Sequence, residues 1–290
     1  MLKFSQRANR GDHITREISR VLAHGETHFH EYFFFESPIH GVCLSLDGDI
    51  QSCTSDEALY HEALAHPAML MHPHPKTVLI MGGSEGATAR EVLRHPGVEK
   101  VVMIEIDKDL VELCRKWLPS WGESAFNDPR LEVVCQDINV YLNDNDTRFD
   151  IVIGDLIDVH DWDEPVANLY GKEFYSRLKD HLNPNAIVAT QGGALVPNDM
   201  EGHLKIRNKV KCCFEHVYSY GMNIPSFYHL WGFILASDSD LEIKAEKMLE
   251  RFSAAAKQRE LDVPASGILG LAAAFSLPSV IHRQFKIWED

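Results

Sequence analysis

An α/β fold, in which a doubly wound sheet follows a small antiparallel β unit, is the class this sequence predicts, on three observations. Short apolar runs alternate with amphipathic stretches through most of the chain, as in a largely parallel sheet covered on both faces by helices. A small glycine-rich corner, "GGSEG" (residues 82–86), joins the first of those runs to a helical stretch. Before it lies a turn-punctuated, β-prone segment with a different rhythm.

That segment, "FHEYFFFESPIHGVCLSLDGDIQS" (29–52), alternates around Ser-Pro and Asp-Gly corners and reads as a small antiparallel unit. The Phe33 to Phe35 run is expected to pack in its core or at a subunit contact. "SDEALYHEALAHPAML" (55–70) carries apolar residues at helical spacing and ends at the proline-punctuated "HPHPK". We divide the chain into an N-terminal β domain, 1–65, and a catalytic domain, 66–290. The strands expected in the second are "TVLIMGG", "KVVMIEID", "LEVVCQD", "FDIVIGDL", "AIVATQGG" and "WGFILAS". The intervening helices include "DLVELCRKWL" and "EFYSRLKDHL", and "LEIKAEKMLERFSAAAKQRE" reads as a charged surface helix.

Bulk properties narrow the function. The 290 residues are 45% hydrophobic, enough for one sizeable domain with a small appendage. With 43 acidic against 28 basic residues, the net charge of -15 disfavours nucleic acid and anionic membranes as partners and favours cations. Six cysteines without a C-x-x-C pair suit a reducing cytosol. No apolar stretch reaches the roughly 18 residues of a membrane span, and the polar start lacks a signal-peptide core. A cytoplasmic location is the expectation.

In an open α/β sheet, ligands bind beyond the carboxyl ends of the strands. Acids recur at those ends: Glu85, Glu105 with Asp107, Asp137, and Asp155 with Asp158. Any one of the aspartates could simply cap the next helix, and Asp107 is read that way first. Together they favour a cationic ligand. Glu105 closes its strand about 20 residues after the glycine corner, where an acid takes ribose hydroxyls. Glu85 inside the corner would repel a diphosphate, so a nucleoside without phosphates fits better. His28 with His30, and His72 with His74, lack partners at a zinc spacing, so no metal site is expected. Adjacent Cys212 and Cys213 read as packing residues.

"GGSEGATAREVLRHPGVEKVVMIEID" (82–107) together with "DIVIGDL" (150–156) resembles the polyamine aminopropyltransferases, the spermidine, spermine and thermospermine synthases. "LDGDIQSCTSDEALYHEALAHPAM" (46–69), "NIPSFYHLWGFILAS" (223–237) and "LAAAFSLPSVIHR" (271–283) extend the resemblance over most of the chain, the second nearest to the thermospermine type. It implies a Rossmann-like, methyltransferase-type sheet. The reaction implied is transfer of the aminopropyl group of decarboxylated S-adenosylmethionine, a co-substrate, to a polyamine. Methylthioadenosine leaves, with no metal and no tightly bound cofactor, and a homodimer or homotetramer is implied.

Carried over by position, Asp155 is the general base, with Asp158 and Tyr60 beside it. Glu85 holds the donor's ammonium, Glu105 the ribose, and Asp137 with Ile138 the adenine side; Gln51, Gly82, Gly83 and Gly86 complete the donor set. His61, Gln191, Phe227 and Tyr228 join Glu85, Asp155 and Asp158 in holding substrate. Ser84 replaces a family glycine where a positive φ is expected, His30 replaces a glutamine, and Phe227 replaces a tyrosine. "DVHDWDEPVANLY" (158–170) is unusual for the acceptor-side loop. A methyltransferase using intact S-adenosylmethionine, or a silent relative that binds nucleoside or polyamine, are the alternatives.

Overall fold

In a computed structural model, residues 2–7, 11–159 and 161–289 are described, without the Glu289 side chain. Six strands come first: β1 (Leu2–Arg7), β2 (His13–Ile18), β3 (Arg20–Glu26), β4 (Glu31–Ser37), β5 (Gly41–Leu46) and β6 (Asp49–Cys53). Then α1 (Glu57–Met71), β7 (Thr77–Gly82), α2 (Ala87–Leu93), β8 (Lys100–Glu105), α3 (Lys108–Trp117), α4 (Pro119–Phe126), β9 (Leu131–Cys135), α5 (Ile138–Asp144) and β10 (Phe149–Asp155) build the first half of the central layer. The second half is α6 (Lys172–Leu178), β11 (Leu182–Ala194), α7 (Glu201–Lys211), β12 (His216–Ile224) and β13 (His229–Ser237), followed by α8 (Ala245–Gln258), α9 (Gly267–Ala273) and α10 (Ser279–Glu289).

The central sheet has seven strands in the order β12-β13-β11-β10-β7-β8-β9. From β11 to β9 every pairing is parallel, whereas β13 runs antiparallel between β11 and β12. Strand order reverses between β7 and β10, which opens a crevice at their carboxyl ends. Alternation along the strands supplies both faces. Val78, Ile80, Val101, Met103, Ile151 and Ile153 enter the core that includes α1, α2 and α8 residues. Leu79, Met81, Val102, Ile104 and Val152 enter the opposite core, shared with α5, α6 and α7. Each fully buried aliphatic side chain contributes roughly 1.5–3 kcal/mol.

The N-terminal β region is larger than expected from 29–52. β1 and β2 form a hairpin sheet, and β3 joins β4, β5 and β6 in a four-stranded one. Phe4 and Ile18 bring the hairpin onto Phe35, Cys43, Ile50 and Cys53. Phe34 and Phe35 are fully buried, so the phenylalanine run is core, with Phe33 packed at its edge.

Helix α1 runs through the 65/66 division, and its residues Ala63 to Met71 pack in the core of the central sheet. Its interior Pro67 cannot donate to the carbonyl of Ala63; the Tyr220 hydroxyl donates there instead at 2.8 Å. α8 is amphipathic, not purely a surface helix, since it buries Met248, Phe252 and Ala256. Cys213 packs against α6 and α7, but Cys212 is exposed. All six cysteines are free, and among the described residues no helix is long and apolar enough to cross a membrane.

Candidate active site

Register does much of the assembly. Asp155, the last residue of β10, pairs with Gly82, the last of β7, so the base candidate sits against the glycine corner. Gly82 has φ +81°, and a Cβ there would stand 2.2 Å from the Asp155 carbonyl oxygen, so only glycine allows the approach. Gly83 and Gly86 also have positive φ, whereas Ser84 does not. The expected strain at Ser84 is therefore absent: the left-handed positions of the corner are 82, 83 and 86.

A cavity of about 820 Å³ opens over these strand ends. Of the residues singled out in the sequence, Tyr60, Gly82, Gly83, Glu85, Asp155, Asp158, Gln51, Glu105, Asp137 and Ile138 line it. Asp155 accepts from the Tyr60 hydroxyl (3.1 Å) and from Thr88 Oγ1 (2.7 Å). Burial raises its pKa above the usual aspartate value, against the opposing charge of His61 and with the push of Glu85. Burial, and then the Asp155 charge, push Tyr60 well above 10. Glu85 is buried, and its Oε1 has no hydrogen-bond partner; a buried carboxylate oxygen left so is a strong acceptor for a cation.

Glu105 accepts from the backbone N–H of Asp107 at 3.0 Å, and burial pushes its pKa up to about 7. Asp107 and Asp137 are both helix caps, accepting from the N–H groups of Leu110 (3.0 Å) and Asn139 (2.7 Å). The cap reading of Asp107 holds; Asp137 caps α5 and lines the cavity as well.

Five expected residues stand outside the lining. Gly86 starts α2 in a left-handed conformation and packs under Phe126. His61 lies behind Glu85, with Nε2 3.6 Å from its Oε2. Gln191 stands behind the lining: its amide donates to Asp158 Oδ1 (3.0 Å), the Leu156 carbonyl (3.0 Å) and the Tyr170 hydroxyl (2.9 Å), of which Asp158 and Leu156 line the cavity. It holds the acid in place. Phe227 packs edge-on against Tyr60 and tilted against Trp231. Tyr228, at φ +61°, is 47% exposed and carries the Arg16 guanidinium over its ring. That turn is pinned because the Ser226 N–H donates to Asp56 (2.6 Å) and Arg16 donates to the Ser226 carbonyl.

The remaining wall was not read from the sequence as site. Phe29, Asp47, Asp49 and Ser52 come from the β region, and Glu164, Asn168 and Leu169 from the segment after β10. His30, noted only as a departure, lines the cavity and is bonded to Asp47 at 2.7 Å. The Asp-Gly turn at 47–48 was the available signal for Asp47 and Asp49. Of the expected histidine pairs, His72 Nδ1 accepts from the His74 N–H, and His28 packs edge-on against Phe29.

His61, Glu85 and Asp155 each bring one N or O atom to within 4.8 Å of the others. As a metal-ligand set they fit poorly. A metal-ligating histidine must be neutral, and the carboxylates of Glu57 and Glu85 beside His61 favour its protonated form, pushing its pKa up to about 10. A pair of carboxylates suits an ammonium group better.

A profile of the spermine/spermidine synthase domain matches residues 57–247. This chain belongs to that family. A polyamine aminopropyltransferase of Aeropyrum pernix is 45% identical over 224 residues, covering 77% of this chain and 71% of the relative. A thermospermine synthase of Arabidopsis thaliana is 40% identical over 236 residues, covering 81% and 69%. Among solved structures, a spermidine synthase in complex with the transition-state analogue AdoDATO superposes with a TM-score of 0.87 at 26% identity, covering 99% of this chain and 95% of that one. The whole architecture is thus that of the spermine/spermidine synthases.

Proposed function

We propose that the protein transfers the aminopropyl group of decarboxylated S-adenosylmethionine to a polyamine and releases methylthioadenosine. One observation carries the reading: the buried, unpartnered oxygen of Glu85 stands in the same crevice as Asp155, with Glu105 at the next strand tip. Glu85 grips the donor's ammonium, Glu105 accepts from the ribose hydroxyls, and Asp137 with Ile138 meets the base. The sulfonium is already a good leaving group, so alignment and one proton transfer are the enzyme's main tasks. Asp155 takes a proton from the amine, the nitrogen bonds to the carbon attached to sulfur, and the C–S electron pair returns to sulfur. No resident cofactor or metal enters this scheme.

Besides Asp155, the cavity lining carries the acids Asp158, Asp49 and Glu164. That favours an acceptor with ammonium groups beyond the reacting one, such as spermidine, over a short diamine. Thermospermine as product, a cytoplasmic location and a homodimer or homotetramer belong to the same reading, the location supported by the free cysteines. Intact S-adenosylmethionine would bring its carboxylate toward Glu85, which speaks against methyl transfer. Purified protein incubated with decarboxylated donor and a panel of putrescine, spermidine and longer amines tests the reading. Release of methylthioadenosine with spermidine preferred is expected; no release with any amine rejects transfer.

A further inference from the structure

If aminopropyl transfer is the reaction, on which this inference rests, the site has a charge problem. Asp155 is buried beside Glu85, and burial together with the Glu85 charge raises its affinity for a proton. A protonated Asp155 could take no proton from an amine.

His61 answers this from behind the cavity wall. It is fully buried on α1. Its Nδ1 faces the Glu57 carbonyl at 2.6 Å and the Glu57 carboxylate at 3.0 Å, while Nε2 faces Glu85. Nδ1 thus has oxygen acceptors at hydrogen-bond distance, while Nε2, with no hydrogen-bond partner, stands 3.6 Å from a carboxylate oxygen, an ion-pair distance that favours a charged imidazole. Glu57 is fixed in turn by Arg90 on α2, whose NH1 and NH2 reach its two oxygens at 3.1 and 2.9 Å. Arg90 Nε donates to Glu91 at 2.7 Å, and Glu91 meets His66 at 3.2 Å.

We propose that His61 is the built-in counter-ion of the active site, an imidazolium anchored by Glu57 and Arg90 that keeps Asp155 ionised before either substrate binds. It is a positioning residue and not a substrate ligand. The titratable groups facing it are Glu57 and Tyr60 on α1, Glu85 in the corner, and Asp155 at the end of β10. Arg90 and Glu91 stand behind on α2, Cys114 on α3 lies beside Glu85, and Asp158 and Tyr170 lie beyond Asp155. Burial disfavours charge on His61, but the bond to Glu57 and the nearby Glu85 and Asp155 carboxylates outweigh it and push its pKa up to about 10.

Two measurements test the idea. In the unaltered protein, NMR of the His61 ring should show both nitrogens protonated from about pH 6 to 8.5, and Glu57→Gln should lower the pH at which that proton is lost. His61→Gln, checked for folding by its melting temperature, should move the acid limb of the kcat profile up by about one unit or more, a loss of about tenfold at pH 7. The rate should recover above about pH 9, with the donor KM changed by less than about threefold. A neutral His61 at pH 7 overturns the proposal, as does a His61→Gln loss that is equal at every pH or confined to KM. Should the unaltered protein transfer nothing, the transfer reading fails, and the NMR titration still decides whether His61 is charged.

Discussion

The two ends of the cavity are built differently. At the donor end, Glu85 and Glu105 project from strand tips or the corner beside them, both buried on a backbone fixed by parallel pairing. The rest of the wall comes from the β5–β6 turn, the 27–30 turn and the loop after β10, with Phe29 43% exposed; the 27–30 turn reaches the Glu105 strand tip, where Thr27 donates to Asp107. On the proposed reading the donor is held by groups on the sheet itself, and the elements added around the sheet are free to shape the acceptor's part of the wall.

The largest effect should come where the two ends meet. Asp155→Asn should lower kcat about 10³-fold, within the usual range for a lost general base, with little change in melting temperature. A loss below tenfold would move the base elsewhere along the cavity. Next is Gly82→Ala, which forces a side chain into a left-handed φ of +81° against the Asp155 carbonyl. Thermal unfolding should report a loss of about 2 kcal/mol or more, several degrees in Tm. A neutral result would show that the strand-tip approach is looser than described.

Glu105 gives the pH dependence of the donor end. Burial raises its pKa to about 7, so in the donor-free fold it keeps a proton that the unfolded chain has lost above about 4.5. Its contribution to stability therefore falls as pH rises from about 4.5 to 7. Ribose hydroxyls donate best to the ionised form. Donor affinity should accordingly rise with pH, by up to about tenfold per unit, and level off above about 7; Glu105→Gln should flatten that slope in a titration of donor binding. The smallest effect belongs to Tyr228, which stacks on Arg16 outside the cavity. Tyr228→Ala should change kcat/KM by less than about twofold, and a larger change would extend the acceptor wall to the 225–228 turn.

The same division governs what the sequence revealed. Strand tips were legible because apolar runs such as "KVVMIEID" end abruptly in acids, and topology brings those ends together whatever the loops do. β1 and β2 escaped because "LKFSQR" buries only Phe4 and "HITREI" only Arg16 and Ile18, too little for a clear hydrophobic alternation. Helix α4, whose Gly122 and Phe126 pack against the corner, carries no strong start signal beyond its proline. The role of Gln191 was not legible in detail: position on β11 places it near the site, but only tertiary contacts turn its amide toward Asp158 and the Leu156 carbonyl.

Calorimetric titration with decarboxylated and with intact S-adenosylmethionine tests the central claim most directly, because Glu85 is placed to grip an ammonium and repel a carboxylate. A preference of about 100-fold or more for the decarboxylated donor is predicted, from a charge-assisted bond of about 1.5–3 kcal/mol together with like-charge repulsion. In Glu85→Gln that preference should shrink to within about tenfold. Equal affinity for the two, or tighter binding of the intact form, would contradict the account.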